Sequence, residues 1–269
     1  FFAQDENFQS LGIKSPILLH RVTSILKLTR PTTVQAAAYE AFASSSRNDV
    51  TIGAETGSGK TLSYLLPLMD DILSRKATSD NNGVSYAYAR ALILVPNKEL
   101  VQQVVRMALP LAGGKESLVH GGSTLDNKAI LIDDVDEGAD DRDRVRLAIM
   151  PGGLKEPLDF APFRQAIVKK EAPVDIVIST PAAVGQLGLN PKNIDMFADI
   201  QTVVIDEADM LLDGGYIRQL ENVFMGFRRA DRLKDESVVK TQHIFVAATL
   251  PDYGLRSVDA YLQRKFPQA

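Results

Sequence analysis

Residues 52–67 read IGAETGSGKTLSYLLP. An apolar, β-branched run, DVTIGA at 49–54, leads into this stretch, and a helical pattern from Lys60 to about Arg75 leads out of it. Between them, Gly57 and Gly59 can take backbone angles closed to other residues, so the loop can turn its N–H groups toward one centre. A helix opening near Gly59 aims the positive end of its dipole at the same centre. Lys60 supplies an ammonium that reaches β- and γ-phosphates, and the Thr61 hydroxyl can ligate Mg²⁺. Strand, glycine loop, Lys-Thr and helix in this order predict a phosphate-binding loop. One position departs from the strict pattern: Ala54 stands where it has its first glycine.

The same alternation recurs outward from this loop. Short apolar runs at 91–96 (ALILVP), 144–150 (RVRLAIM), 174–180 (VDIVIST), 201–208 (QTVVIDEA) and 242–249 (QHIFVAAT) read as strands covered on both faces. Helical patterns at 97–109, 216–229 and 252–264 fit crossover connections. The pattern predicts an α/β domain: an open, mostly parallel sheet with helices on both faces. Ligands of such sheets bind at the carboxyl ends of the strands. Gly57, Pro96, Thr180, Asp206 and Thr249 all fall there. Two regions interrupt the alternation: a polar stretch at 74–88, read as a loop, and residues 112–143, read as an insertion.

A second motif, VVIDEADMLLDGG at 203–215, ends a buried strand on Asp206 and Glu207. Adjacent carboxylates are ordinarily just solvated. After a strand of four apolar residues, in a chain that carries a phosphate loop, they read as the acidic half of a nucleoside triphosphatase. Asp206 would hold Mg²⁺ directly or through water, and Glu207 would orient and deprotonate the attacking water.

With these residues on the page, the chain resembles the DEAD-box ATP-dependent RNA helicases, in particular their N-terminal RecA-like P-loop domain. The literal DEAD string is Asp206-Glu207-Ala208-Asp209. AETGSGKT at 54–61 is similar to the family's first motif, which commonly opens on alanine. VPNKELVQQ (95–103) is similar to its PTREL motif, STPAAV (179–184) to TPGR, and AATL (247–250) to SAT. Gly214-Gly215-Tyr216 matches the usual continuation of the DEAD string. Phe8, LGI (11–13) and RPTTVQ (30–35) look like the Q motif. The likeness runs from about Phe8 to Leu250, with the motifs in family order.

The resemblance implies an ATP site with Mg²⁺. Its contacts would come from Arg30, from Gln35 as reader of adenine, and from Ala54, Glu55, Thr56, Gly57, Ser58, Gly59, Lys60 and Thr61. Lys60, Asp206 and Glu207 would carry catalysis, and Thr61 and Asp206 the metal. It implies RNA gripped by its sugar-phosphate backbone at Pro96, Asn97, Lys98 and Glu99, at a glycine pair, and at Thr180 and Pro181. Of the two glycine pairs, Gly121-Gly122 and Gly152-Gly153, the second is expected to serve, because it follows the strand at 144–150. Asp209, Ala247 and Thr249 would couple the two sites. It further implies a second, C-terminal RecA-like domain that contributes arginine fingers. No stretch after residue 250 is a candidate for its motifs, so the chain is expected to be a fragment that binds nucleotide and hydrolyses it slowly by itself.

Five positions depart from the family. Leu28 replaces an aromatic that stacks on adenine. Lys98 replaces arginine, keeping charge but losing the planar fork. Ala182 and Ala183 replace the glycine and arginine of TPGR, and Ala247 replaces a serine. These changes leave an RNA clamp with reduced unwinding as the alternative to a full helicase.

Composition fits this reading. Over 269 residues the formal charge is −4, but residues 133–143 alone contribute −6, leaving the remainder slightly basic. That acidic run is expected to be a solvated loop. Contacts through backbone N–H groups and helix starts reconcile RNA binding with an acidic chain. The three histidines are scattered and fit no metal spacing. There are no cysteines and no apolar run long enough for a membrane span, so an intracellular setting without membrane contact is expected.

Overall fold

The computed structural model describes residues 1–4, 6–43, 48–78, 90–113, 130–132, 141–150, 174–213, 215–233, 241–248, 261 and 264–265. Two helices precede the first strand: α1 (Pro16–His20), which runs into a π-helical turn at Arg21–Ile25, and α2 (Thr33–Ala43). Then come β1 (Val50–Gly53), α3 (Lys60–Thr78), β2 (Ala91–Leu94), α4 (Lys98–Ala112) and β3 (Ile130–Ile132). β4 (Leu147–Met150), β5 (Ile176–Ser179), α5 (Pro181–Leu189), α6 (Asp195–Ala198) and β6 (Thr202–Ile205) follow. The described elements end with α7 (Ala208–Asp213), α8 (Ile217–Leu233) and β7 (Gln242–Ala247).

All seven strands form one sheet in the order β1-β7-β6-β2-β5-β4-β3. Every pairing is parallel except β3 with β4. The expected α/β architecture is what forms, and each of the six strands read from sequence is present, shortened at its ends. The pleat explains why those strands read as unbroken apolar runs. Ile93, Val204 and Ile244 point into a core under α2, α3 and α4, while Leu92, Leu94, Val203, Ile205 and Phe245 point into a second core under α5, α7 and α8.

Two sequence readings change. β3 lies inside the stretch read as an insertion: Ile130-Leu131-Ile132 adds an antiparallel edge to β4. A three-residue strand followed directly by Asp133 and Asp134 carries too little apolar signal to be seen in sequence. The loop read at 74–88 begins later, because α3 continues through Thr78, and its last turn is tied down by Lys76. The Lys76 ammonium bonds the buried Asp175 carboxylate at 2.6 Å. Most of the helix read at 252–264 lies outside the described residues.

On the α8 side, close approach depends on two glycines of α5. A Cβ on Gly185 would fall 2.8 Å from Gln219 O, and one on Gly188 closer still to Asn222 O, both α8 backbone carbonyls. Arg229 of α8 closes the contact by donating from Nη1 to Gly188 O at 3.0 Å. Gly188→Ala must therefore push two helix backbones apart. It is expected to cost about 1–3 kcal/mol, the usual range for overpacking, read as a lower urea midpoint with an unchanged slope.

Candidate nucleotide-binding site

β1 hands the chain to the loop at the carboxyl edge of the sheet. Ala54 N–H donates to Ala247 O at 3.2 Å, carrying the β1–β7 ladder one residue further. Ser58 N–H then closes a turn onto Glu55 O at 3.2 Å. Gly57 and Gly59 have φ of +83° and +90°, the left-handed region that the glycine reading anticipated. Lys60 opens α3 with only 7% of its surface exposed, and its ammonium donates to Ala54 O at 2.8 Å, bent back over its own loop. Ser58 Oγ is buried without a hydrogen-bond partner. A hydroxyl left in that state beside left-handed glycines and a helix start fits a phosphate oxygen as its missing partner.

Gln35 meets this loop directly. Its Oε1 accepts from Thr32 N–H at 3.0 Å, while Thr32 Oγ1 accepts from Gln35 N–H at 3.4 Å. This is a reciprocal cap on the first turn of α2, and the T-x-x-Q spacing that announces it is visible in the sequence. The amide's other end, Nε2, donates to Gly59 O at 3.3 Å. Gln35, 4% exposed, thus has both ends of its amide engaged by the protein, and its cap was not part of the sequence reading. Arg30, expected among the nucleotide contacts, donates from Nη2 to Ala3 O at 2.7 Å and holds the N-terminal residues against α2. Glu55 and Thr56 are exposed on the loop, and Leu28 is half-buried against the core.

The carboxylates arrive on β6, two strands over from β1 in the sheet. Asp206 N–H continues the ladder by donating to Leu94 O at 2.9 Å, which seats its side chain at the carboxyl edge with 6% exposure. Its Oδ2 accepts from the Tyr64 hydroxyl at 2.7 Å, and its Oδ1 from Glu207 N–H at 2.9 Å. Glu207 has φ of +51°, a left-handed angle uncommon for a residue with a Cβ and concentrated at functional sites. Burial raises the Asp206 carboxyl above its ordinary value, against the opposing pull of Tyr64, Glu207 N–H and the Lys60 charge. Burial, then the Asp206 charge, raises Glu207 as well, again opposed by Lys60. Lys60, Asp206 and Glu207 therefore share one electrostatic site. Tyr64 joins them unanticipated, although it stands four residues after Lys60 on the same helix face.

The residues expected at RNA sit beyond β6, after β2 and β5. Asn97 caps α4, its Oδ1 accepting from Leu100 N–H at 2.9 Å, and leaves half-buried Lys98 and exposed Glu99 in the first turn. Pro96, Thr180 and Pro181 are buried at the neighbouring strand ends. Ala183 is wholly buried in the α5–α8 core, so an arginine there would have to escape that core to meet a ligand. Ala247 is buried in the same core as Ala208, and Asp209 Oδ1 accepts from Met210 N–H at 3.0 Å. Gly121, Gly122, Gly152, Gly153 and Thr249 lie outside the described residues. Among the described residues, no helix is long and apolar enough to cross a membrane, and no cluster of three or more acidic or histidine side chains forms a metal site.

The DEAD/DEAH box helicase family model matches residues 32–139 and 157–257, more than half of the chain. The chain belongs to that family. It is 34% identical over 220 residues to an ATP-dependent RNA helicase, DBP10, of Mycosarcoma maydis, covering 81% of this chain and 16% of that protein. It is 28% identical over 249 residues to the human probable ATP-dependent RNA helicase DDX28, covering 91% of this chain and 39% of the relative. The chain thus spans well under half of these relatives. Its fold is that of the DEAD-box splicing factor Prp28 of yeast (TM-score 0.65, 22% identity, 97% of this chain and 49% of that one). It is also that of the DEAD-box helicase Mss116 solved with single-stranded RNA and UDP-BeF (TM-score 0.63, 21% identity, 94% and 42%). The family explains Ala54: the loop departs from the generic phosphate pattern and keeps the DEAD-box one.

A raised carboxyl takes up its proton at higher pH in the folded chain than in the unfolded one, so stability falls as pH rises through that interval. Asp206→Asn removes the charge and keeps the shape. In EDTA and without nucleotide, this variant is expected to be more stable than the parent at neutral pH. The gain should shrink as the buffer is taken toward about pH 4, where free carboxylates protonate. Urea midpoints at the two ends of that range check the sign.

Proposed function

We propose that this chain is the nucleotide-binding half of an ATP-dependent RNA helicase, working with a second RecA-like domain on RNA backbone. The observation that carries the reading is the convergence of Lys60, Asp206 and Glu207 beside a glycine loop whose Ser58 hydroxyl is buried and unpartnered. These groups have the chemistry of phosphoryl transfer to water. Lys60 leaves Ala54 O for the β- and γ-phosphates, an exchange of one carbonyl for charged oxygens. The loop N–H groups and the start of α3 face the same phosphates. Glu207, raised by burial toward the operating pH, orients the attacking water and takes its proton. Thr61 and Asp206 would hold Mg²⁺, which neutralises charge that develops on the phosphates. Mg²⁺ ordinarily needs only one or two carboxylates when phosphates complete its shell.

RNA is proposed to lie along the β2–β5 side of the same edge, against the first turns of α4 and α5. A basic coat is unnecessary there, because helix N-termini and backbone N–H groups are positive without counting toward net charge. The relatives named ATP-dependent RNA helicases, and the single-stranded RNA in the Mss116 structure, support the choice of ATP and RNA. The clamp reading draws on Ala247 and Ala183, both buried apolar groups where the family has polar ones. It predicts ATP-dependent RNA binding without strand separation.

The test is hydrolysis and unwinding by the full-length protein. Glu207→Gln is expected to retain nucleotide binding and to lower RNA-stimulated phosphate release by about 10²-fold or more, the usual worth of a general base. Stimulation by DNA equal to that by RNA would overturn the RNA assignment. RNA-stimulated turnover without unwinding would select the clamp.

A further inference from the structure

Tyr64 is among the largest side chains with no exposed surface, and its ring is packed in the core beneath α2, α3 and α4. Phenylalanine would fill that volume without a polar atom to satisfy. A buried hydroxyl costs stability unless it is hydrogen-bonded, so its partners indicate what it is for. Its partner belongs to the cleft: it bonds Asp206 Oδ2 at 2.7 Å, across 142 positions of sequence.

The direction of this bond follows from donor counting. An ionised Asp206 can only accept, so the Tyr64 hydroxyl donates its one proton there. Asp206 is held at both oxygens, Oδ2 by Tyr64 and Oδ1 by Glu207 N–H, so its carboxylate plane is set.

We propose that Tyr64, on the helix that follows the phosphate loop, is a positioning residue for the metal–nucleotide complex, its hydroxyl fixing the orientation of Asp206 in the DEAD string. This rests on the reading of the cleft as a magnesium–nucleotide site. The ligand class is a nucleoside triphosphate carrying a divalent cation. Tyr64 touches neither; it acts through Asp206.

The experiment uses ATP labelled on the ribose with an N-methylanthraniloyl group, bound to the chain in EDTA and across a Mg²⁺ titration. Wild type, Tyr64→Phe, Asp206→Asn and the double variant are compared, with urea unfolding of each. Tyr64→Phe is expected to unfold cooperatively, to bind labelled ATP in EDTA as wild type does, and to need about 10-fold or more Mg²⁺ for half-saturation, the usual scale for groups that orient metal ligands. In the Asp206→Asn background the same substitution is expected to add nothing, because its route runs through Asp206. A Tyr64→Phe curve that superimposes on wild type in Mg²⁺ overturns the proposal. So does an equal loss with and without metal, an additive double variant, or loss of cooperative unfolding, each of which makes the hydroxyl purely structural. Wild type that binds no labelled ATP under any condition removes the nucleotide site itself, an outcome distinct from these.

Discussion

Parallel register is the constraint on which the site depends. Six strands run the same way, so every strand ends on one edge, and the ladders extend one residue beyond the strands themselves. Ala54 N–H bonds Ala247 O, Asp206 N–H bonds Leu94 O, and Val95 N–H bonds Ser179 O. Each of these bonds pins the first residue of a functional loop to a neighbouring strand. The loops are therefore placed by backbone hydrogen bonds before any side chain is considered, and their starting points cannot drift independently. The strand order then divides the edge. β1, β7 and β6 deliver the phosphate loop and the carboxylates, while β2 and β5, on the other side of β6, deliver the helix starts proposed for RNA.

Polar chemistry at such an edge has to be supported from below by an apolar sheet. β6 is buried along its whole length, and Asp206 emerges from it with almost no exposed surface. Burial alone would disfavour its charge. Tyr64, Glu207 N–H and Lys60 offset that cost in part, and the net effect is still a carboxyl raised above its ordinary value. Gln35 shows the same economy by a different route. One amide caps α2 and reaches Gly59, so the segment before the sheet is attached to the phosphate loop through a single buried side chain.

The legibility of the sequence varied with the range of the interaction. Gly57, Gly59, Lys60 and the Asp206-Glu207 pair were readable because a strand, a turn and a helix start are local events with strong residue preferences. β3 was not, since three apolar residues between polar neighbours have no distinctive pattern, and only pairing with β4 makes them a strand. Ala183 was read as a lost cation near RNA. Its burial against α8 belongs to the packing of two helices, and the close-packed Gly185 and Gly188 behind it carry no periodic signal of their own. Nothing in the neighbourhood of Tyr64 along the chain reveals its partner 142 residues away.

Sequence by itself determined the α/β class, the family, the phosphate loop and the identity of the acidic pair, all of which rest on short spacings and backbone preferences. Tertiary structure decided what those residues touch. It joined Tyr64 to Asp206, engaged both ends of the Gln35 amide, and turned Ala183 and Ala247 inward. The physical reason is that a side chain's direction follows from its own backbone, whereas its partner follows from strand order and helix packing, which no local stretch of chain encodes.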